Sequence, residues 1–110
     1  MERFVKGEIV VVHFPFSDLS DSKIRPALVL ADLNGNDIIL CQITSKNVSD
    51  VYSIPLQQND FYSGSLNKSS NIRPNRLFTA DKKIIIKKVG QIKREKFIEV
   101  SEGIIKLIRI

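Results

Sequence analysis

Residues 25–44 read RPALVLADLNGNDIILCQIT, and this stretch decides the fold class because it encodes two strands and the turn between them. Residues 26–33 and 38–44 are both rich in aliphatic side chains, as buried strands are. Between them, Asn34 and Gly35 form the strongest two-residue hairpin signal and favour a type I′ turn. The sequence therefore predicts an antiparallel hairpin.

Further strand patterns flank this hairpin. Residues 8–14 are apolar in both alternating sets, which is typical of a central strand covered on both sides. Residues 15–23 are rich in turn formers and predict a polar loop. Residues 46–71 are polar and interrupted by Pro55 and Gly64, so they predict a hairpin arm around VYSIPL and an exposed loop.

The last part of the chain predicts more strands and one helix. Residues 71–92 resume short strands, which we expect to be broken by Pro74 and by an ADKK turn. From Lys93 onward, apolar residues recur at helical spacing and predict a helix whose stripe is core or a dimer contact. Short strands followed by one helix indicate a mainly β fold, a small and strongly bent antiparallel barrel, in a single domain spanning residues 1–110. The stripe consists of Phe97, Val100, Ile104 and Ile108, widened by Ile98 and Ile105.

Composition limits the function. The chain has 110 residues, 43% of them hydrophobic, and a formal net charge of +5, which favours a polyanionic partner only weakly. Cys41 is the single cysteine, so we expect a buried thiol and neither a disulfide nor a cysteine-rich metal site. The apolar runs are too short to cross a bilayer and no signal peptide is evident, so we expect a cytoplasmic protein with no membrane contact.

The familiar catalytic motifs are mostly absent. The sequence contains no Gly-rich phosphate loop, no HExxH and no Cys-His metal spacing. What remains is Arg25 at the start of one strand and Thr44 and Ser45 at the end of the next. The predicted hairpin brings Arg25 and Thr44 to the same open end, where both can face one ligand.

The segments GEIVVVHFPF, RPALVL, CQITS and FTADKKII, followed by a helix, resemble the PemK/MazF-like toxins of type II toxin-antitoxin systems. The resemblance covers nearly the whole chain, and its signature is GDV or GEI in the first strand, a loop ending in RP, and an ITS-like triplet. It implies an SH3-like barrel, a homodimer, a cognate antitoxin as partner and cleavage of single-stranded RNA without metal or cofactor. It also implies catalytic roles for Arg25 and Thr44.

The chemistry of RNA agrees with these roles. RNA carries its own nucleophile, the 2′-hydroxyl, so internal attack gives a 2′,3′-cyclic phosphate and a 5′-hydroxyl. An arginine fork can hold two phosphate oxygens as charge develops, and a hydroxyl from Thr44 or Ser45 can add a donor. The alternative function is a non-enzymatic toxin of the same fold that inhibits a protein target such as gyrase.

The sequence departs from the family pattern at two positions. Phe78 stands where many relatives have an arginine, and Ser20 where many have a glutamate. Arg73 or Arg76 can replace the missing positive charge, and the prospective proton acceptors are Asp18, Asp21 and His13, although a core histidine is the simpler interpretation of His13. The expected substrate contacts are Ser20, Asp21, Ser45, Ser70, Arg73 and Arg76.

Overall fold

A computed structural model describes residues 3–14 and 23–110 of the chain. Within these residues the fold is a seven-stranded antiparallel sheet with one C-terminal helix, which confirms the predicted mainly β class. Two short 3₁₀ helices, Gln58–Asp60 and Lys82–Ile84, connect strands. The strands are β1 (Glu8–Phe14), β2 (Lys23–Asp32), β3 (Asp37–Thr44), β4 (Ile54–Leu56), β5 (Phe61–Gly64), β6 (Ser70–Asp81) and β7 (Ile85–Ile92), and the helix is α1 (Arg94–Ile108).

The predicted hairpin is present as β2 and β3, but its turn is not type I′. A type I′ turn needs two central residues with positive φ, and Gly35 has φ +83° while no described non-glycine residue has a positive φ. The cause is a bulge between Val29 and Ala31, which shifts the register of β2 on β3 by one residue. The Leu33 N–H therefore bonds to the Asp37 carbonyl at 3.1 Å, and the connection has three residues instead of two.

The sheet curls because its two edges are joined by very little chain. The strand order is β4-β6-β3-β2-β1-β7-β5, so β4 and β5 lie at opposite edges. Only residues 57–60 connect them, a span of roughly 17 Å at full extension. The predicted hairpin arm in residues 46–71 is therefore wrong: β4 pairs with β6 and β5 pairs with β7.

Pro74 does not break β6 as expected. The pairing of β6 with β3 jumps from Cys41↔Leu77 to Ile43↔Ile72, which leaves residues 73–76 in a bulge where Pro74 donates no ladder hydrogen bond. Pro74 is buried in this bulge and lies close to Gly103 of α1. The bulge thus carries the proline without ending the strand.

Apolar side chains cover both faces of the sheet. On one face, Leu28 and Cys41 belong to a buried cluster that includes Val100 of α1; we call this the helix face. On the other, Val29 and Leu40 belong to a second cluster, completed by Phe4; we call this the far face. Neighbouring residues alternate between the two clusters, as side chains of a strand do. Burial of Cys41 is as expected and raises the pKa of its thiol to about 12.

The predicted helix is present, and only part of its stripe is core. Val100 is fully buried and Phe97 and Ile104 pack beside it. Ile98, Ile105 and Ile108 are instead exposed, by 48%, 37% and 74%. No helix in the described residues is long and apolar enough to cross a membrane.

Candidate active site

Arg25 lies in β2 on the far face. It is two residues before Ala27, which belongs to the far-face cluster, and it pairs in register with Val12 of β1. Its side chain is half-buried, and its guanidinium carbon lies 6.0 Å from the centroid of the Phe14 ring. Among residues 3–14 and 23–110 it forms no ion pair. A half-buried cation without a described carboxylate partner is well suited to hold an anionic ligand.

Thr44 ends β3 on the same face. Paired residues of β2 and β3 end at Ala27↔Gln42, and the same register continued by two positions sets Thr44 across from Arg25. Directly opposite residues of an antiparallel pair project from the same face. Thr44 is buried, and its Oγ1 accepts a hydrogen bond from the Lys46 N–H at 3.1 Å. Its own O–H therefore remains able to donate to a ligand.

Phe78 of β6 packs against Phe14 of β1, the residue that contacts Arg25. The rings of Phe14 and Phe78 meet edge to face, with centroids 5.3 Å apart and an interplanar angle of 81°. A pocket of about 260 Å³ opens next to them. Its lining residues are Phe14, Gln42, Arg76, Leu77 and Phe78.

Arg73, in contrast, makes structural contacts with Asp50 and Cys41. Its Nη2 lies 2.9 Å from Oδ2 of Asp50, and this hydrogen-bonded ion pair holds the pKa of the Asp50 carboxyl below its ordinary value. The Arg73 carbonyl also accepts a hydrogen bond from the Cys41 thiol. Of the two arginines considered as replacements for the missing charge, Arg76 lines the pocket beside Phe78.

A family model described as "PemK-like, MazF-like toxin of type II toxin-antitoxin system" matches residues 5–108. The chain belongs to this toxin family. The match covers both sides of the candidate site, from β1 to the end of α1. No curated protein matches the chain in a sequence comparison.

Solved structures of PemK/MazF-like toxins share the fold of this toxin. A MazF from Deinococcus radiodurans is 19% identical, with a TM-score of 0.73 and coverage of 96% of each chain. An endoribonuclease from a mycobacterial species, solved with its cognate antitoxin, is 8% identical, with a TM-score of 0.74 and coverage of 94% of this chain and 93% of that one. The Mycobacterium tuberculosis toxin MazF-mt6 is 16% identical, with a TM-score of 0.70 and coverage of 90% and 93%.

The other predicted site residues of the toxin are scattered. Ser45 is exposed directly after Thr44. Ser70 is buried, and its hydroxyl donates to the Lys68 carbonyl at 3.0 Å. Thr44 pairs with Asn71, so Ser70 projects from the opposite face. The first-loop candidates Asp18, Ser20 and Asp21 lie outside the described residues.

His13 is not a core histidine, contrary to expectation. It lies one residue before Phe14 and therefore points away from the far face. Its partner across the ladder is Ile24, which is itself 60% exposed and therefore gives His13 little cover. His13 is exposed as a result.

Sequence analysis of the toxin missed three residues of the site. Gln42 and Asn71 share the face of Thr44, and Phe14 lies under Arg25. The period of two along β3 contains a signal for Gln42, since it is two residues from Thr44. Asn71 carries no such signal, because its position depends on the bulge in β6.

Proposed function

We propose that the toxin is an endoribonuclease that cleaves single-stranded RNA, namely mRNA in the cytoplasm. Cleavage proceeds by attack of a 2′-hydroxyl on the adjacent phosphate. The products are a 2′,3′-cyclic phosphate and a 5′-hydroxyl. The observation that carries the proposal is the half-buried Arg25, which has no ion-pair partner among the described residues and shares its face with Thr44. Two of the similar structures are described as endoribonucleases, which supports the same reaction class.

Arg25 is the group that stabilises the transition state in this proposal. Charge builds on the nonbridging phosphate oxygens as the 2′-oxygen attacks, and a planar guanidinium can donate to two of them. The Phe14 ring beneath the guanidinium limits its freedom and places the cation before the substrate arrives.

Thr44 supplies a second donor. Its Oγ1 is held by the Lys46 N–H, which leaves the hydroxyl proton for a phosphate oxygen. Ser45 is exposed at the next position and can contact the same strand of RNA. We retain Ser20, Asp21 and Arg73 as further candidate contacts, but not Ser70, because its buried hydroxyl lies on the opposite face of the sheet.

A metal is not required by this mechanism. The nucleophile belongs to the substrate, so no metal-bound hydroxide has to be generated. The positive charge that a metal would supply is provided by Arg25. Within residues 3–14 and 23–110, no group of three or more His, Cys, Asp or Glu side chains is placed to hold a metal ion.

Two protein partners belong to the proposal. The first is a cognate antitoxin, as in the mycobacterial complex and in a MazE–MazF structure from Deinococcus radiodurans. The second is another copy of the chain. Ile98, Ile105 and Ile108 form an exposed apolar stripe on α1 that a second copy can cover, which gives a homodimer.

The test is cleavage of a long single-stranded RNA by purified toxin in EDTA. Polynucleotide kinase should label the new 5′ ends without prior phosphatase treatment, because they carry a hydroxyl. The same sequence as DNA should stay intact, since it lacks the 2′-hydroxyl. If the RNA stays intact under all conditions, the proposed endoribonuclease activity is wrong. A non-enzymatic toxin that inhibits a protein target then becomes the better proposal.

A further inference from the structure

We propose that the pocket beside Arg25 binds the guanine base of a nucleotide flanking the scissile phosphate, with Arg76 and Gln42 as the residues that determine this specificity. The inference rests on the proposed endoribonuclease activity and adds the identity of a base to it. It starts from the pocket lined by Phe14, Gln42, Arg76, Leu77 and Phe78.

The position of the pocket suits a base next to the reacting phosphate. Phe14 is shared between the pocket and the Arg25 site, since the Arg25 guanidinium lies 6.0 Å from the ring centroid. A phosphate on Arg25 is joined to each flanking base through a single ribose. A base from a flanking nucleotide can therefore enter the pocket while the phosphate stays on the arginine.

The size and walls of the pocket suit a single flat base. Its volume of about 260 Å³ lies below the roughly 300–1,000 Å³ of sites for drug-sized ligands. Phe14 and Phe78 provide an aromatic wall, and single-stranded RNA is commonly recognised by bases that leave the stack and pack against such side chains.

The polar groups of the pocket select among the bases. Gln42 of β3 and Arg76 of the β6 bulge line the same pocket, so both side chains can contact one base. An arginine fork donates two hydrogen bonds to O6 and N7 of guanine. The Gln42 carboxamide oxygen can accept from the N–H groups on the other edge of the same base.

The hydrogen-bonding capacity of Arg76 favours guanine over adenine. Among residues 3–14 and 23–110, Arg76 forms no ion pair and no carboxylate lines the pocket. The Arg76 guanidinium can therefore donate two hydrogen bonds to a base. Adenine cannot accept both on the edge that carries N7, because its N6 amino group is a donor.

The first experiment maps the cut sites of the wild-type toxin on a long RNA of mixed sequence by sequencing the new ends. The expected result is guanine at one fixed position next to the cut. Arg76→Ala and Gln42→Ala should relax that preference by roughly tenfold or more, measured as the share of all cuts that fall next to guanine. Arg109→Ala, which removes an exposed arginine far along the chain, is the matched control and should leave the preference unchanged.

The second experiment changes the RNA instead of the protein, so it does not depend on the folding of any variant. A short substrate carrying 7-deazaguanine at the selected position lacks the N7 acceptor and should be cut several-fold more slowly by wild type. The same substitution should make no difference to Arg76→Ala.

The outcomes separate the two proposals. Cleavage without a guanine preference, or a preference that survives in Arg76→Ala and Gln42→Ala alike, overturns the guanine pocket and leaves the endoribonuclease intact. Failure of the wild type to cut any RNA overturns both. A 7-deazaguanine effect of equal size in wild type and Arg76→Ala shows that another group reads N7.

Discussion

The guanidinium of Arg25 lies over the ring of Phe14, and the two residues come from adjacent strands, β2 and β1. The ring contacts the cation from β1, while Thr44 belongs to β3, the neighbour of β2 on its other side. A proline directly after Arg25 fixes the local backbone, because Pro26 cannot rotate about φ. These contacts hold Arg25 near the start of β2, and in the proposed mechanism this is where it would bind the phosphate.

Replacement of Arg25 should abolish most of the activity. Arg25→Ala is expected to reduce the cleavage rate on one RNA by on the order of 10²- to 10³-fold, because it removes a preorganised donor to the developing charge. Arg25→Lys should fail as well, since an ammonium keeps the charge but not the bidentate fork. Circular dichroism should show both variants folded, with Arg109→Ala as the control. A parent rate for Arg25→Ala would contradict the assignment.

Replacement of Thr44 should have a smaller effect. Thr44→Val is expected to slow cleavage by roughly tenfold, because a neutral hydroxyl contributes less than a charged donor. Thr44→Ser keeps the hydroxyl and should retain most of the rate. Equal losses in the two variants, measured as single-turnover rates, would mean that packing and not the hydroxyl is what Thr44 provides.

The exposed stripe of α1 should control dimer formation. We expect wild type to sediment as a dimer, and Ile98→Glu with Ile105→Glu to sediment as a monomer, because charges in an apolar interface carry a desolvation cost. Ile86→Glu alters an apolar side chain of similar exposure on the sheet and is the matched control. A wild-type monomer with full activity would remove the dimer from the proposal.

Acid should weaken the contact that holds the segment after β3. In the folded chain the pKa of the Asp50 carboxyl lies below its ordinary value of 3.8. The main cause is its hydrogen bond to Arg73. The stability from this pair is thus present above the unfolded pKa and is lost as the pH falls through the lower folded pKa. Urea unfolding should show Asp50→Asn less stable than wild type near neutral pH, with the gap closing in acid. Asp37→Asn, on an exposed carboxylate, should show no such gap.

Cys41 should be chemically inert in the folded toxin. Its buried thiol has a pKa of about 12, so only about one molecule in 10⁴ carries a thiolate at pH 8. Iodoacetamide should label the urea-unfolded chain and leave the native chain unmodified, as followed by mass spectrometry. Comparable labelling in both states would show that the site opens readily.

Sequence reasoning predicted the parts of the fold that depend on local patterns. The β2–β3 hairpin, β1 and α1 follow from hydrophobic period, and the Arg25 and Thr44 pairing follows from hairpin geometry. The turn type, the route of residues 46–71 and the continuity of β6 do not. Each of these depends on a bulge or on pairing with a distant strand, and neither leaves a local mark in the sequence.

The same division applies to the site. Hairpin geometry and the family resemblance made Arg25 and Thr44 candidates, but the pocket beside them needs Phe14 from β1 and Arg76 from β6. The three-residue shift at the β6 bulge sets which side chains face that pocket. The sequence alone does not distinguish Arg73 from Arg76. In the structure, the bulge places Arg73 beside Asp50 and Arg76 in the pocket.

The order of strands also bears on the point during synthesis at which a chain can become active. β1 is completed by pairing with β7, and β3 by pairing with β6, so the centre of the sheet needs segments made last. Such distant pairings are slow to form, and a ribosome adds only about 5–20 residues per second. A chain interrupted before β6 contains Arg25 and Thr44 but lacks Arg76 and Phe78. If the proposed function is right, we expect these truncated products to be inactive, so that only finished copies would need a cognate antitoxin.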